Sequence, residues 1–196
     1  MPYPPSIRAA TLDRLILEGA DAWEEFRVHA RERHHLFIPC HHREAYAALR
    51  ALRSRATTFV EFGSAAGVVT IMADLLGFEA YGIEIEPWLV KRSIGLAERF
   101  DSGAVFAEGT YVPPAYQDEI ELLSGDHLTP TDGASAFEEL GLELSEFDLV
   151  FAYPWPDDED WLHELFRRHA RPDALLLTYA VNDGFQVSEQ LRFDLR

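Results

Sequence analysis

Two acidic residues and a turn of small residues lie at the spacing of a nucleotide-type cofactor site. Glu61 follows an apolar, β-branched run that begins at Thr58, and the turn GSAAG occupies residues 63–67 directly after it. An apolar stretch with helical spacing comes next, and a second short apolar run ends on Glu84. In a strand–turn–helix–strand unit, the turn presents backbone N–H groups and a helix N-terminus at the carboxyl end of the first strand. The second acid then lies where a ribose diol would bind.

The turn does not match the fingerprint of dinucleotide-binding proteins. That fingerprint is Gly-x-Gly-x-x-Gly, and starting at Gly63 it requires glycine at the positions of Ala65 and Val68. Two of its three glycines are therefore missing, which disfavours a nicotinamide-dependent oxidoreductase.

The order acid-x-Gly-x-x-x-Gly resembles motif I of the class I S-adenosylmethionine-dependent methyltransferases, written E/D-x-G-x-G-x-G. Glu61, Gly63 and Gly67 match the motif, and Ala65 replaces its middle glycine. Alanine still lets the backbone approach a ligand, but it makes a positive φ costly. Residues 82–87, GIEIEP, are similar to the family's G-x-E-x-D/E-P segment.

The resemblance, which covers roughly residues 36–179, implies the roles of the site residues. Glu84 would bind the ribose hydroxyls, Ile85 would flank the adenine, and Glu61 would attract the cationic methionyl end of S-adenosyl-L-methionine. The N–H groups of the turn would bind the methionyl carboxylate. Where the family often has an acid that binds the adenine amino group, this chain has Thr110. The resemblance implies a cofactor site formed by Pro39, Cys40, Glu61, Gly63, Ser64, Ala65, Gly67, Glu84, Ile85 and Thr110.

A histidine-rich segment precedes the turn. Four histidines and Cys40 lie within residues 34–42, but adjacent histidines diverge and no second ligand cluster follows, so we predict no metal site here. The sequence LFIPC at residues 36–40 is similar to the family's F-V-P-[ST] segment, which closes over the methionine end of the cofactor. The resemblance thus implies that Cys40, His41 and His42 line the mouth of the site, and the start of a capped helix is compatible with the same residues.

The candidate catalytic residues follow the predicted fourth strand, 147–153. In the family that this chain resembles, this strand ends at the reacting centre, so Tyr153 and Trp155 are candidates for orienting the substrate. Methyl transfer is an in-line displacement that depends mainly on positioning, and if it needs a base, Tyr153 or Asp157 is nearest. The sequence YPWP at 153–156 lacks the polar first residue of the amino-methyltransferase motif [D/N/S]-P-P-[Y/F/W]. The alternative is a rigid loop that only ends the strand.

A run of acids at residues 157–160 could suggest a divalent cation, but it precedes a helical pattern. Acids at a helix N-terminus explain the run without a metal.

Composition narrows the class of protein. The 196 residues include 47% hydrophobic residues, as in a globular domain, and the net charge is −17, which disfavours nucleic acid as a partner. No apolar run approaches the roughly 20 residues of a membrane span, and no secretory leader is visible. The single cysteine excludes an internal disulfide. We therefore expect a cytoplasmic protein without membrane partners.

Alternation of strand and helix patterns over residues 57–179 predicts a doubly wound, mostly parallel α/β sheet. Residues 1–56 would form an N-terminal helical cap and 57–196 the Rossmann-like core, within one compact domain. A helix is expected over about residues 11–32, weakened or split at Gly19. The end of the core should be curtailed, or it should carry a single extra strand over residues 185–193.

These features favour an S-adenosylmethionine-dependent methyltransferase acting on a small molecule or a protein side chain. A non-catalytic protein that binds S-adenosylmethionine is the main alternative, and a nicotinamide-dependent oxidoreductase is a weaker one.

Overall fold

The computed structural model describes residues 6–29, 40–114, 116–117, 129, 133–155, 158–180 and 183–189. Within these ranges, six strands form one sheet. They are β1 Thr58–Phe62, β2 Glu79–Glu84, β3 Val105–Glu108, β4 Leu149–Ala152, β5 Leu175–Ala180 and β6 Gly184–Glu189. Their order is β3-β2-β1-β4-β5-β6. The first five strands are parallel, and β6 returns antiparallel beside β5.

Helices cover both faces of this sheet. They are α1 Ala9–His29, α2 His42–Leu52, α3 Val68–Leu75, α4 Pro87–Arg99, α5 Ala136–Leu140 and α6 Glu159–His169, with a 3₁₀ turn at Leu144–Glu146. Helices α1 to α4 pack in one buried cluster, and α5 and α6 pack in the other. The predicted doubly wound α/β fold is confirmed.

Strand β4 contributes buried side chains to both hydrophobic clusters. All four of its residues are buried. Leu149 and Phe151 join the cluster of α1 to α4, while Val150 and Ala152 join the opposite one. Successive side chains of a strand point to opposite faces, so a strand covered on both sides must be apolar throughout.

The strand order reverses direction at β1, which lies between β2 and β4. Phe62, the last residue of β1, is level with Ile83 in β2 and Ala152 in β4. Ligands of open α/β sheets bind in the crevice outside the carboxyl ends of the strands at such a switch point. The sequence segments after β1, β2 and β4 therefore meet at one edge of the sheet.

Two elements differ from their predicted extent. Helix α1 is continuous through Gly19, and β6 ends at Glu189, with residues 190–196 outside the described part of the chain. The helix expected near residues 115–123 also lies mostly outside it. Within the described ranges, every helix falls short of the length and apolar character that a membrane span requires.

Helix α1 packs across α3 and α4. At Gly19, an added Cβ would lie 2.1 Å from Cγ2 of Val68, so only glycine permits this approach. Arg99 pairs with Glu18 at 2.7 Å on the α4 side, and the Arg14 guanidinium lies 4.1 Å from the centre of the Phe100 ring. Gly19, which weakens the helix pattern, is thus the residue that allows α1 to contact the first turn of α3.

This packing predicts opposite results for two helical glycines. Each change to alanine gains about 1 kcal/mol of helix propensity. At Gly95 in α4 the nearest atom to an added Cβ is the Arg99 guanidinium at 3.7 Å, an ordinary contact, so Gly95→Ala should stabilise the protein. Gly19→Ala must displace Val68, and overpacking costs about 1–3 kcal/mol. We expect urea unfolding to find Gly19→Ala less stable than Gly95→Ala by at least about 1 kcal/mol; equal stabilities would contradict the close packing of α1.

Candidate functional site

Three residues of the turn after β1 have a left-handed backbone conformation. Gly63, Ala65 and Gly67 have φ values of 71°, 48° and 77°. The Ser64 N–H donates to the Ile83 carbonyl at 2.9 Å, which ties the turn to β2, and the Gly67 N–H donates to the Ser64 carbonyl at 2.7 Å. Gly67 is the N-cap of α3. The turn therefore brings the first N–H groups of α3 to the switch point, as the sequence predicts.

Ala65 adopts the positive φ that its side chain makes costly. A left-handed conformation costs an L-residue about 1–2 kcal/mol. Two buried bonds hold it: its N–H donates to Oε2 of Glu84 at 2.8 Å, and its carbonyl accepts from the Ser93 hydroxyl at 2.9 Å. Alanine at the middle position of the motif thus retains a glycine-like backbone because the surroundings fix it.

Glu84 lies behind the turn. It is 8% exposed, and its Oε1 accepts the Glu86 N–H at 3.0 Å. Burial raises the pKa of this carboxyl, and the N–H donors of Glu86, Ala65 and Ile85 oppose the rise. A carboxylate has about four lone-pair sites, so these three donors leave acceptor capacity for one ligand hydroxyl.

Glu61 is the buried acid at the end of β1. Its Oε2 accepts both the N–H of Thr70 at 2.9 Å and the Thr70 hydroxyl at 2.5 Å. No described residue donates to its Oε1. Burial raises the pKa of Glu61 to about 8; the bonds from Thr70 oppose the rise, and the nearby Glu84 adds to it. In the protein without ligand, Glu61 is therefore mainly protonated at neutral pH and would ionise beside a cation.

A cavity of about 280 Å³ lies over the end of β1. Its floor is formed by Glu61, the turn and the start of α3. Helix α1 forms one wall with Gly19, Ala20, Trp23 and Glu24, and Cys40, His42, Phe151 and Tyr153 also line the cavity. This volume is close to the lower end, about 300 Å³, of small-molecule sites.

Ser64 has an unpaired polar group beside this cavity. The residue contributes to the lining and is 3% exposed, and its hydroxyl oxygen is buried and forms no hydrogen bond with the described residues. Buried hydroxyls are normally paired, so this oxygen has unused hydrogen-bonding capacity.

The structure brings only some of the predicted site residues to the cavity. Cys40, Glu61, Gly63, Ser64, Ala65 and Tyr153 line it. Gly67 and Glu84 support the turn from behind, and Ile85 follows β2 half-buried without lining the cavity. Pro39 and Asp157 lie outside the described residues.

Thr110 and Trp155 do not reach the cavity. Thr110 is 2% exposed, and its hydroxyl oxygen accepts the Val112 N–H at 3.2 Å. Its backbone also bridges to Ser135, which directs this segment toward α5. Trp155 contributes its carbonyl to the Asp158 N–H at 2.9 Å and so shapes the loop before α6.

The acidic run leads into α6, as predicted, but Asp158 does not cap the helix with its side chain. Its Oδ2 accepts the N–H and hydroxyl of Thr129 at 3.1 and 2.5 Å instead. Glu159 and Asp160 lie in the first turn, where they complement the helix dipole. Among the described residues, no three His, Cys, Asp or Glu side chains are grouped to hold a metal ion.

Sequence patterns did not identify the wall contributed by α1. Trp23 and Glu24 belong to a helical pattern, which indicates a buried face without saying what it faces. The one available signal was Gly19, because a glycine inside an otherwise apolar helix pattern often marks a close approach.

Two alanines in the turn allow the strain at Ala65 to be measured. Ala65→Gly and Ala66→Gly each remove one methyl group and add the same freedom to the unfolded chain. Only Ala65 has a positive φ, so only its replacement relieves a left-handed conformation. Chemical denaturation should find Ala65→Gly more stable than Ala66→Gly by about 1–2 kcal/mol. The reverse order would contradict this backbone geometry.

Comparisons by sequence return no relative: no protein-family model matches the chain, and no curated protein matches it. Solved structures do match. An O-methyltransferase from Bacillus cereus in complex with SAH superposes with a TM-score of 0.53 at 14% identity, over 88% of this chain and 66% of that one. The chain thus spans just under two thirds of that protein's length.

Two further structures have similar scores. Cofactor-bound Rv0187 from MTB gives a TM-score of 0.52 at 16% identity, over 91% of this chain and 73% of that one. An RNA methyltransferase from Salinibacter ruber in complex with S-adenosyl-L-homocysteine gives 0.52 at 17% identity, over 82% and 99%. What these proteins share with the chain is the arrangement of the sheet and its helices. The chain has the Rossmann-like fold of the class I S-adenosylmethionine-dependent methyltransferases.

Proposed function

We propose that this chain is an S-adenosylmethionine-dependent methyltransferase whose cavity over β1 binds the methionyl end of the cofactor. The observation that carries the proposal is the buried acid Glu61, which lines that cavity and whose Oε1 accepts no bond from the described residues. Ser64, with its buried and unpaired hydroxyl, and the first turn of α3 lie beside it. A ligand with an ammonium and a carboxylate on one carbon complements this set.

The residues around the cavity fit this cofactor. Glu61 would hold the ammonium, and the Ser64 hydroxyl would bind the carboxylate together with the N–H groups of Val68 and Val69, which have no acceptor within α3. Glu84 retains acceptor capacity for one of the ribose hydroxyls. When bound, S-adenosylmethionine supplies a methyl group on a positively charged sulfur.

The methyl acceptor would bind on the side of β4. Tyr153 follows β4 and lines the cavity, so it is positioned to orient the acceptor. Burial raises the pKa of Tyr153, which keeps its phenol protonated as a hydrogen-bond donor at neutral pH. With a net charge of −17, the chain favours a small molecule or a protein side chain over a nucleic acid.

Calorimetric titration tests the cofactor. S-Adenosylmethionine and S-adenosylhomocysteine should bind with micromolar affinity, and NAD, the control, should not bind. Glu61→Ala should weaken binding by about tenfold or more, because the ammonium loses a charged partner worth about 1.5–3 kcal/mol. Failure of both ligands to bind, or binding of NAD alone, would overturn the proposal. Binding without turnover of any acceptor would favour the non-catalytic alternative.

The pKa of Glu61 predicts that cofactor binding releases a proton. Its pKa is about 8 in the free protein, and beside the ammonium the carboxyl must be ionised. Below that pKa the affinity should rise with pH, by up to about tenfold per unit, because fewer chains must lose the proton first. Titrations at pH 6 to 7 in two buffers of different ionisation enthalpy measure the protons released. Glu61→Gln should bind more weakly and release none, whereas equal release by both proteins would assign the proton to another group.

A further inference from the structure

His42 is a nucleophilic group in the cavity that the proposed cofactor contacts do not use. It is the first residue of α2 and lines the cavity with Glu61 and Tyr153. Its ring nitrogens form no hydrogen bond with the described residues, and the residue is half-buried. An imidazole held in this way has both nitrogens available to a ligand.

His42 is uncharged at neutral pH. Burial lowers its pKa below the ordinary value, and the neighbouring His41 lowers it further. A neutral imidazole carries a lone pair that accepts a proton, which is the property of a general base.

The other titratable groups of the cavity are poorer bases. Burial raises the pKa of Cys40 far above neutral, so it remains a thiol, and Tyr153 remains a phenol. Glu61 accepts two bonds from Thr70 and is assigned to the ammonium. His42 is thus the one cavity-lining base that is both neutral and unpaired within the described part of the chain.

Two aromatic residues, Phe151 and Tyr153, line the cavity and form its flank beside β4. Tyr153 packs edge-on against Tyr179, with ring centres 5.0 Å apart, and Phe151 contacts Phe185 at 5.8 Å. An aromatic lining suits an aromatic ligand.

We propose that His42 is the general base for methylation of an aromatic hydroxyl bound against the Tyr153 flank. This inference rests on the proposed function and names the acceptor class of the same site. The acceptor oxygen forms a bond to the methyl carbon while the bond from that carbon to sulfur breaks, and its electron pair goes to the sulfur, which becomes uncharged. The hydroxyl proton passes to the free ring nitrogen of His42 and later to solvent.

Two phenols separate base catalysis from positioning. At pH 8, 4-nitrophenol is largely ionised and needs no base, whereas 4-methylphenol is protonated and does. With methyl-labelled S-adenosylmethionine, His42→Gln should lower kcat/KM for 4-methylphenol by about 10²–10⁴-fold. For 4-nitrophenol the loss should stay below about tenfold, because the general base contributes nothing to an ionised acceptor. His163→Gln, on the exposed side of α6, is the matched control and should change neither rate.

A binding measurement adds a readout that is independent of turnover. In histidine-labelled protein with S-adenosylhomocysteine, the imidazole signal absent from His42→Gln should titrate below the ordinary pKa of histidine and shift when 4-nitrophenol is added. The His163 signal should not shift. The pKa measured for His42 also depends on the other ionisable groups around it. These are Glu24, Cys40, His41, Glu44, Glu61, Tyr153 and Tyr179.

The outcomes distinguish this inference from the function on which it rests. Equal losses for both phenols, or no loss, would overturn the role of His42. Methylation of neither phenol by a protein that binds S-adenosylhomocysteine would overturn the aromatic hydroxyl as acceptor and leave the proposed function standing. Failure to bind S-adenosylhomocysteine would overturn both.

Discussion

The hydrogen bond from the Ala65 N–H to the Glu84 carboxylate, 2.8 Å long and buried, is the interaction on which the site depends. It joins the turn after β1 to the end of β2 and holds Ala65 in a left-handed conformation that the residue does not prefer. Ser93 of α4 secures the same residue from the carbonyl side. Strained backbone persists only where its surroundings over-determine it. Here β2 and α4 both hold the turn, so the N-terminus of α3 and the floor of the cavity have a fixed position.

Glu84 and Glu61 have different roles in the site because they have different hydrogen-bond partners. Glu84 is satisfied largely by backbone N–H groups, which makes it a structural anchor that retains spare acceptor capacity. Among the described residues, Glu61 has only Thr70 as a hydrogen-bond partner, and it lines a cavity to which α1 contributes. Ionising its buried carboxyl is therefore unfavourable until a cation binds. A cation in such a low-dielectric site interacts with the carboxylate far more strongly than it would in water. Helix α1 is part of this environment because Gly19, Ala20, Trp23 and Glu24 line the cavity.

Much of this arrangement was predictable from the sequence, and the exceptions have physical causes. Alternating apolar runs predicted the doubly wound sheet, and the spacing of Glu61, Gly63 and Gly67 located the turn at its switch point. The φ of Ala65 was not predictable, because a local preference against positive φ is overridden by bonds to residues about 20 and 28 positions away. Thr110 has the sequence position of an adenine contact, and a backbone bridge to Ser135, 25 residues away, fixes its place beside α5. Such long-range pairings leave no periodic signal in the chain.

A crystal structure of the protein with S-adenosylhomocysteine would show whether the cavity over β1 binds the cofactor. We expect the methionyl end in the cavity beside α1, with the amino nitrogen about 2.7–3.2 Å from Oε1 of Glu61 and the carboxylate within the same range of the Ser64 hydroxyl. We also expect Ala65 to keep its bond to Glu84. A ligand whose methionyl end lies outside this cavity, with Glu61 still bonded to Thr70 alone, would contradict the proposed cofactor site.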